Sequence, residues 1–167
     1  MKRSGFKKRA VKPLKRTPLK KKSKQKISTI QNKLWKLCKQ IIRIKYGNTC
    51  YTCESTGLTG SNWHTSHLIP KASLGAYLKY DLRLLRPACY HCNINLGGNG
   101  AIYIEKVRRV EGNEYVDRIL KDRQVTVNAM DHYLKLIEEY TELLNKLTNT
   151  TNGANINTYG VPEDQQS

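Results

Sequence analysis

From Ile27 the apolar residues return by threes and fours: Ile27, Ile30, Leu34, Leu37, Cys38, Ile41 and Ile44, with Trp35 and Ile42 widening the stripe. That period predicts an amphipathic helix over 28–46. Ser28 or Thr29 is placed to cap its start, and Gly47-Asn48 to end it. Lys33, Lys36, Lys39 and Arg43 fall mostly on the other face. Cys38 lies on the apolar stripe and reads as core. From 49 to 92 the pattern is short and broken, punctuated by Gly57, Gly60, Gly75 and Pro87. A stretch of this kind is expected to bury little core and to need a metal for stability. Helical spacing returns after Gly97-Gly98 with Ile102, Tyr103, Val107 and Val110, and stops at Gly112. A third segment carries Tyr115, Val116, Ile119 and Leu120, and a fourth Met130, Tyr133, Leu134, Ile137, Leu144 and Leu147. Residues 148–167 are rich in Asn and Thr and read as a disordered polar tail.

Charge divides the chain differently. Of 167 residues, 30 are Lys or Arg and 13 are Asp or Glu, and the first acid is Glu54. A block of like charge repels itself and cannot bury itself, so 1–27 reads as a disordered basic arm. Pro13 and Pro18, in the repeat KPLKR and TPLKK, keep it extended. Its expected partner is a polyanion, nucleic acid first, with Lys20, Lys21 and Lys22 among the residues that touch it. A solubility or localisation tail is the plainer alternative. The folded domain is then expected over 28–147. No run of 18 apolar residues is present, so no helix is expected to span a membrane. The basic N-terminus lacks the apolar region of a secretory signal, so the expectation is an intracellular, reducing compartment.

In that compartment the cysteines read as metal ligands. Cys50-x-x-Cys53 and Cys89-x-x-Cys92 each form a tight turn with two sulfurs on one side. Two such turns complete a tetrahedral thiolate set suited to Zn²⁺. All four positions are then filled by sulfur, so the zinc is structural and not catalytic. A redox dithiol needs only one of the two pairs.

Between the pairs lies NWHTSHLIPKASL, with His64 and His67. The zinc does not need them. On a strand, positions 64 and 66 share one face and 67 takes the other, so the histidines are no simple helical ligand pair. A neutral imidazole is well poised to take a proton from water near pH 7. Taken alone, a histidine in a strand is more often structural.

SHLIP resembles the His-apolar-apolar-Pro strand of HNH nucleases, and RPACYHCN resembles the second knuckle of their zinc-bearing branch. A closer resemblance is to the NinG/Rap family of phage recombination nucleases. It is carried by KLWKLCKQIIRIKYGNTCYTC at 33–53, WHTSHLIPKA at 63–72 and CYHCNINLGGNGAIY at 89–103, and covers roughly 28–120.

The resemblance implies an α+β fold: a treble-clef ββα-metal, HNH-like core with flanking helices. It implies that His67 is a general base and that Mg²⁺ or Mn²⁺ bridges the scissile phosphate. Asn93 is then the leading ligand for that ion, with His64 and Asn99 as further ligands or phosphate contacts. Lys71, Arg83 and Arg86 would hold flanking phosphates, and His91, inside the knuckle loop, would be exposed or a phosphate contact and not catalytic. The expected activity is a metal-dependent DNA endonuclease acting on branched recombination intermediates, a Holliday junction or D-loop, in the host-cell cytoplasm. A homodimer is allowed for. Two positions depart from the HNH pattern: Ser66 stands where an acidic or histidine ligand is usual, and Leu84 where many members carry the central Asn. The alternatives are an HNH enzyme nicking ordinary duplex, a zinc-finger binding module without chemistry, and an RNA-binding or ribosome-associated zinc protein.

Overall fold

The computed structural model of the protein describes residues 26–153. Its elements run α1 (Ile27–Tyr46), β1 (Trp63–His67), β2 (Leu85–Cys89), α2 (Gly100–Glu111), α3 (Asn113–Asp122) and α4 (Ala129–Gly153). Among the described residues the fold is α+β: four α-helices with one small two-stranded sheet. The expected arm up to residue 25, with Lys20, Lys21 and Lys22, and the tail beyond 153 lie outside the described residues. Among the described residues no helix is long and apolar enough to cross a membrane.

Helix α1 buries Ile30, Leu34, Leu37, Cys38, Ile41 and Ile42. They pack on Tyr133, Leu136, Ile137 and Tyr140 of α4. Each buried Leu or Ile contributes about 1.5–3 kcal/mol, so this seam is a main source of stability. Cys38 sits inside it, as its place on the stripe predicts, with Sγ 3.5 Å from the Tyr80 carbonyl oxygen. The start of α1 differs from expectation. Neither Ser28 nor Thr29 caps it; Ile27 is already helical, and the Lys26 carbonyl accepts the N–H of Thr29 at 3.0 Å. At the other end Gly47 adopts φ 67° and donates its N–H to Arg43.

Two further expectations are corrected. Helix α4 continues past residue 147 to Gly153. Thr148 and Thr150 return their hydroxyls to the carbonyls of Leu144 and Lys146, so polar residues extend the helix by satisfying themselves locally. The broken stretch also buries more than its pattern suggests. Leu68, Ile69, Leu74, Leu78 and Leu84 form a second core with Tyr103 and Val107 of α2 and Val116 and Ile119 of α3. These leucines come from turns, so no period reveals them.

β1 and β2 pair antiparallel, Trp63 opposite Cys89 and His67 opposite Leu85. Pro87 has no N–H to give, but its carbonyl accepts from Tyr51 at 2.8 Å. That bond ties the first cysteine turn to the strand that leads into the second.

Candidate functional site

The tie through Pro87 brings the four sulfurs together. Those of Cys50, Cys53, Cys89 and Cys92 all lie within 4.8 Å of one another. A thiolate tetrahedron at about 2.3 Å from zinc has edges of about 3.8 Å; Cys53 and Cys89 stand 3.7 Å apart. Local donors favour charge here. The Cys92 N–H points at the Cys89 sulfur, and the Thr52 hydroxyl lies 3.3 Å from Cys50. Burial opposes charge on Cys50, but the N–H groups of Cys53, Cys89 and Thr52 and the Thr52 hydroxyl outweigh it and bring the thiol down to about 6. Burial, the neighbouring sulfurs and the charge on Cys50 push Cys92 up to about 12. Four crowded thiols of this kind cannot all ionise without a cation among them. The donor set therefore fits Zn²⁺, and it leaves no open position for a reacting water.

Strand β1 is two-faced. Its odd positions turn toward α1: the Trp63 indole donates to the Gly47 carbonyl at 3.1 Å, and the His67 ring stacks on Trp35. Its even positions turn toward the segment after β2. There a five-residue π-helical turn, His91–Asn95, presents Asn93, whose Nδ2 lies 3.3 Å from His64 Nδ1. Tyr90 meets the His64 ring edge-on. Buried Ser66 faces Gly98, where a Cβ would lie 3.5 Å from the serine Oγ and where φ of 92° suits only glycine.

Both histidines are locked in the same tautomer. His64 Nε2 lies 2.9 Å from the Ser61 carbonyl oxygen, and His67 Nε2 lies 3.1 Å from that of Lys79. A carbonyl only accepts, so each proton sits on Nε2 and each Nδ1 keeps a free lone pair. At His64 that lone pair receives the Asn93 amide. Burial lowers the pKa of His67 and keeps its ring neutral.

A profile of the family described as Bacteriophage Lambda NinG protein matches residues 2–150. The chain belongs to the NinG family. No curated protein matches the chain, and no solved structure does.

The remaining candidates in this NinG chain are placed unevenly. The structure brings His64 and Asn93 together and puts His67 on the opposite face of the same strand. Asn99 opens α2 from a left-handed backbone, φ 49° and ψ 46°, and its carbonyl accepts from Tyr103. Lys71 is exposed, its ammonium 4.8 Å from the Trp35 ring and 5.3 Å from that of Tyr80, on the His67 side. His91 is exposed, as expected, and pairs with Asn95.

Arg86 is a correction, and Arg83 is already paired. Arg86 is no phosphate contact: its side chain is 2% exposed and bonded to Glu111 at 3.0 Å and to the Leu85 carbonyl at 2.9 Å. It also stacks on Tyr46 and Tyr51. Arg83 is committed to two carboxylates, Asp81 at 2.7 Å and Asp122 at 2.8 Å. Both charges close the fold. Sequence reasoning missed Trp35 and Lys79 as the partners that set the state of His67. The available signal for Trp35 was its position on the edge of the α1 stripe; Lys79 acts through its backbone and left none.

Proposed function

We propose that this NinG protein is a zinc-stabilised DNA endonuclease of treble-clef, HNH-like type that cleaves branched recombination intermediates, such as a Holliday junction or D-loop. The observation that carries the reading is the state of His67: proton held on Nε2 by a backbone carbonyl, Nδ1 unprotonated, ring kept neutral by burial. In that state Nδ1 takes a proton from water, and the hydroxide formed attacks phosphorus. On the other face of β1 from His67, His64 Nδ1 and the Asn93 amide, which presents oxygen when turned over, would be two neutral donors for a divalent ion. Mg²⁺ or Mn²⁺ held there would supply positive charge to a phosphate of the bound DNA.

A second reading has its own observation. His67 packs on Trp35, on the face of β1 away from Asn93, which suits a zinc-stabilised DNA-binding module without chemistry. One experiment separates the two. Zinc-loaded protein is offered a four-way junction and a linear duplex, with and without Mg²⁺ or Mn²⁺. Cleavage of the junction only with metal, reduced about 10²–10⁴-fold in His67→Ala, supports the nuclease. No cleavage of either DNA by the wild type assigns the binding module.

A further inference from the structure

The outer face of α1 carries a charge pattern that the His64–Asn93 site does not use. Lys33, Lys36, Lys39 and Arg43 recur every three or four residues, and all four are exposed. Residues so spaced follow one side of a helix. No acid stands anywhere in α1, and among the described residues no ion pair involves its lysines or its arginine. The stripe ends in a cleft of about 250 Å³ lined by Lys39, Gln40, Arg43, Gly60 and Trp63. Arg43 is held there in advance. Its guanidinium lies 4.9 Å from the Trp63 ring centroid, and its Nε donates to Asn48 at 3.2 Å.

The chemistry selects the occupant. The stripe runs about 15 Å along the helix axis, ten residues at about 1.5 Å each. Over that length a duplex presents about nine phosphate charges on its two strands, one per about 1.7 Å, so one backbone carries about four and can meet all four cations. A membrane surface does not fit, because the apolar face of α1 is buried against α4 and cannot insert. The stripe also follows directly, in sequence, on the basic segment 1–26.

Its location gives the stripe a distinct role. α1 packs on the face of β1 that carries Trp63 and His67, whereas His64 and Asn93 meet on the other face. We propose that α1 is a second DNA surface. Lys33, Lys36, Lys39 and Arg43 grip the phosphates of one duplex arm while the His64–Asn93 side engages another part of the same branched molecule. This rests on the reading of the protein as one that acts on branched DNA, and it does not require hydrolysis.

The test uses the full chain with Lys33→Ala, Lys36→Ala and Lys39→Ala combined. Alanine keeps the helix, and Arg43 with its packing on Trp63 is untouched. Affinity for a four-way junction and for a linear duplex is measured against salt with no added divalent ion. The salt slope for the junction should fall by about 0.9 for each phosphate that is no longer neutralised, up to about 2.7 for three. The ratio of junction to duplex affinity should fall toward one. An unchanged slope in folded, zinc-loaded protein would leave the stripe to solvent or to an acidic protein and overturn the proposal. So would a reduced slope with an unchanged ratio, which describes general attraction and not a second arm. Failure of the nuclease reading shows separately, as absent cleavage, because this assay measures binding alone.

Discussion

The ring of His67 lies nearly parallel to the indole of Trp35, 9° between planes and 5.3 Å between centroids. One residue belongs to β1 and the other to α1, so the helix covers one face of the strand histidine. Burial lowers the imidazole from its ordinary 6.5, with the Lys71 charge acting in the same direction.

The first prediction follows from that direction. A histidine whose folded pKa lies below its unfolded value leaves stability whole above about pH 6.5. Stability then falls as the pH drops below 6.5 toward the folded value, because the unfolded chain takes the proton first. His67→Gln should remove this limb, and urea midpoints from pH 8 to pH 5 would show it. If His67 is the base, cleavage should hold below pH 6.5 in wild type. Trp35→Ala, which bares the ring, should move the acid limb of the rate profile up toward 6.5. An unmoved limb would separate the stack from the chemistry.

The second prediction concerns the sulfurs. Structural zinc in small sites supplies about 10–16 kcal/mol at neutral pH, as much as the whole stability of a typical domain. Cys89→Ser should therefore lose zinc and the folded state of the two turns together. Cys38→Ser should keep one zinc per chain, since Cys38 lies in the α1–α4 core. Metal analysis beside circular dichroism reads both. Full zinc in Cys89→Ser would end the four-sulfur site.

Arg86 gives the third. It is buried against two tyrosine rings while its partner Glu111 stays exposed, so removing it leaves two carbonyls short of a donor. Arg86→Ala should cost about 1–3 kcal/mol in denaturant unfolding, the cost of leaving buried acceptors unsatisfied. Arg86→Lys should recover only part, because a lysine cannot fork to the same acceptors. For the molecules that remain folded, the salt slope of DNA binding should equal that of wild type. A reduced slope would return Arg86 to the DNA interface.

What was legible in the sequence follows from how each signal arises. The cysteine turns were legible because a thiolate site needs fixed local spacing, and α1 because a helix buried on one side repeats its apolar residues. The alternation of β1 was legible too: it put His64 and Ser66 on one face and His67 on the other. What it could not convey was the consequence that α1, and not the turn holding Asn93, covers His67. Arg86 was misread because a charge in a sequence carries no mark of burial, and the engagement of Arg83 because its second carboxylate is distant in the chain. Their partners Asp122 and Glu111 lie 39 and 25 residues away. Leu74 and Leu78 enter the core from turns, where no period is imposed.

The last prediction concerns His64 and Asn93, the two residues that the fold does bring into contact. Asn93 gives an N–H to the His64 lone pair. If the pair serves a divalent ion, the amide must turn so that oxygen and nitrogen lone pairs face the same point. Replacing the amide by a carboxylate removes the need to turn and adds charge. Asn93→Asp should then lower the Mn²⁺ concentration needed for half-maximal junction cleavage. Asn93→Ala and His64→Ala should raise it, with partial recovery at high Mn²⁺. His67→Ala should not recover at any metal concentration, because metal supplies no base. Mn²⁺ binding followed by electron paramagnetic resonance reads the same order without cleavage. If the pair is only a packing contact, Asn93→Asp and Asn93→Ala will bind Mn²⁺ equally, and His64→Ala will lose stability while keeping its activity per folded molecule. That pattern would move the divalent ion away from this face of β1.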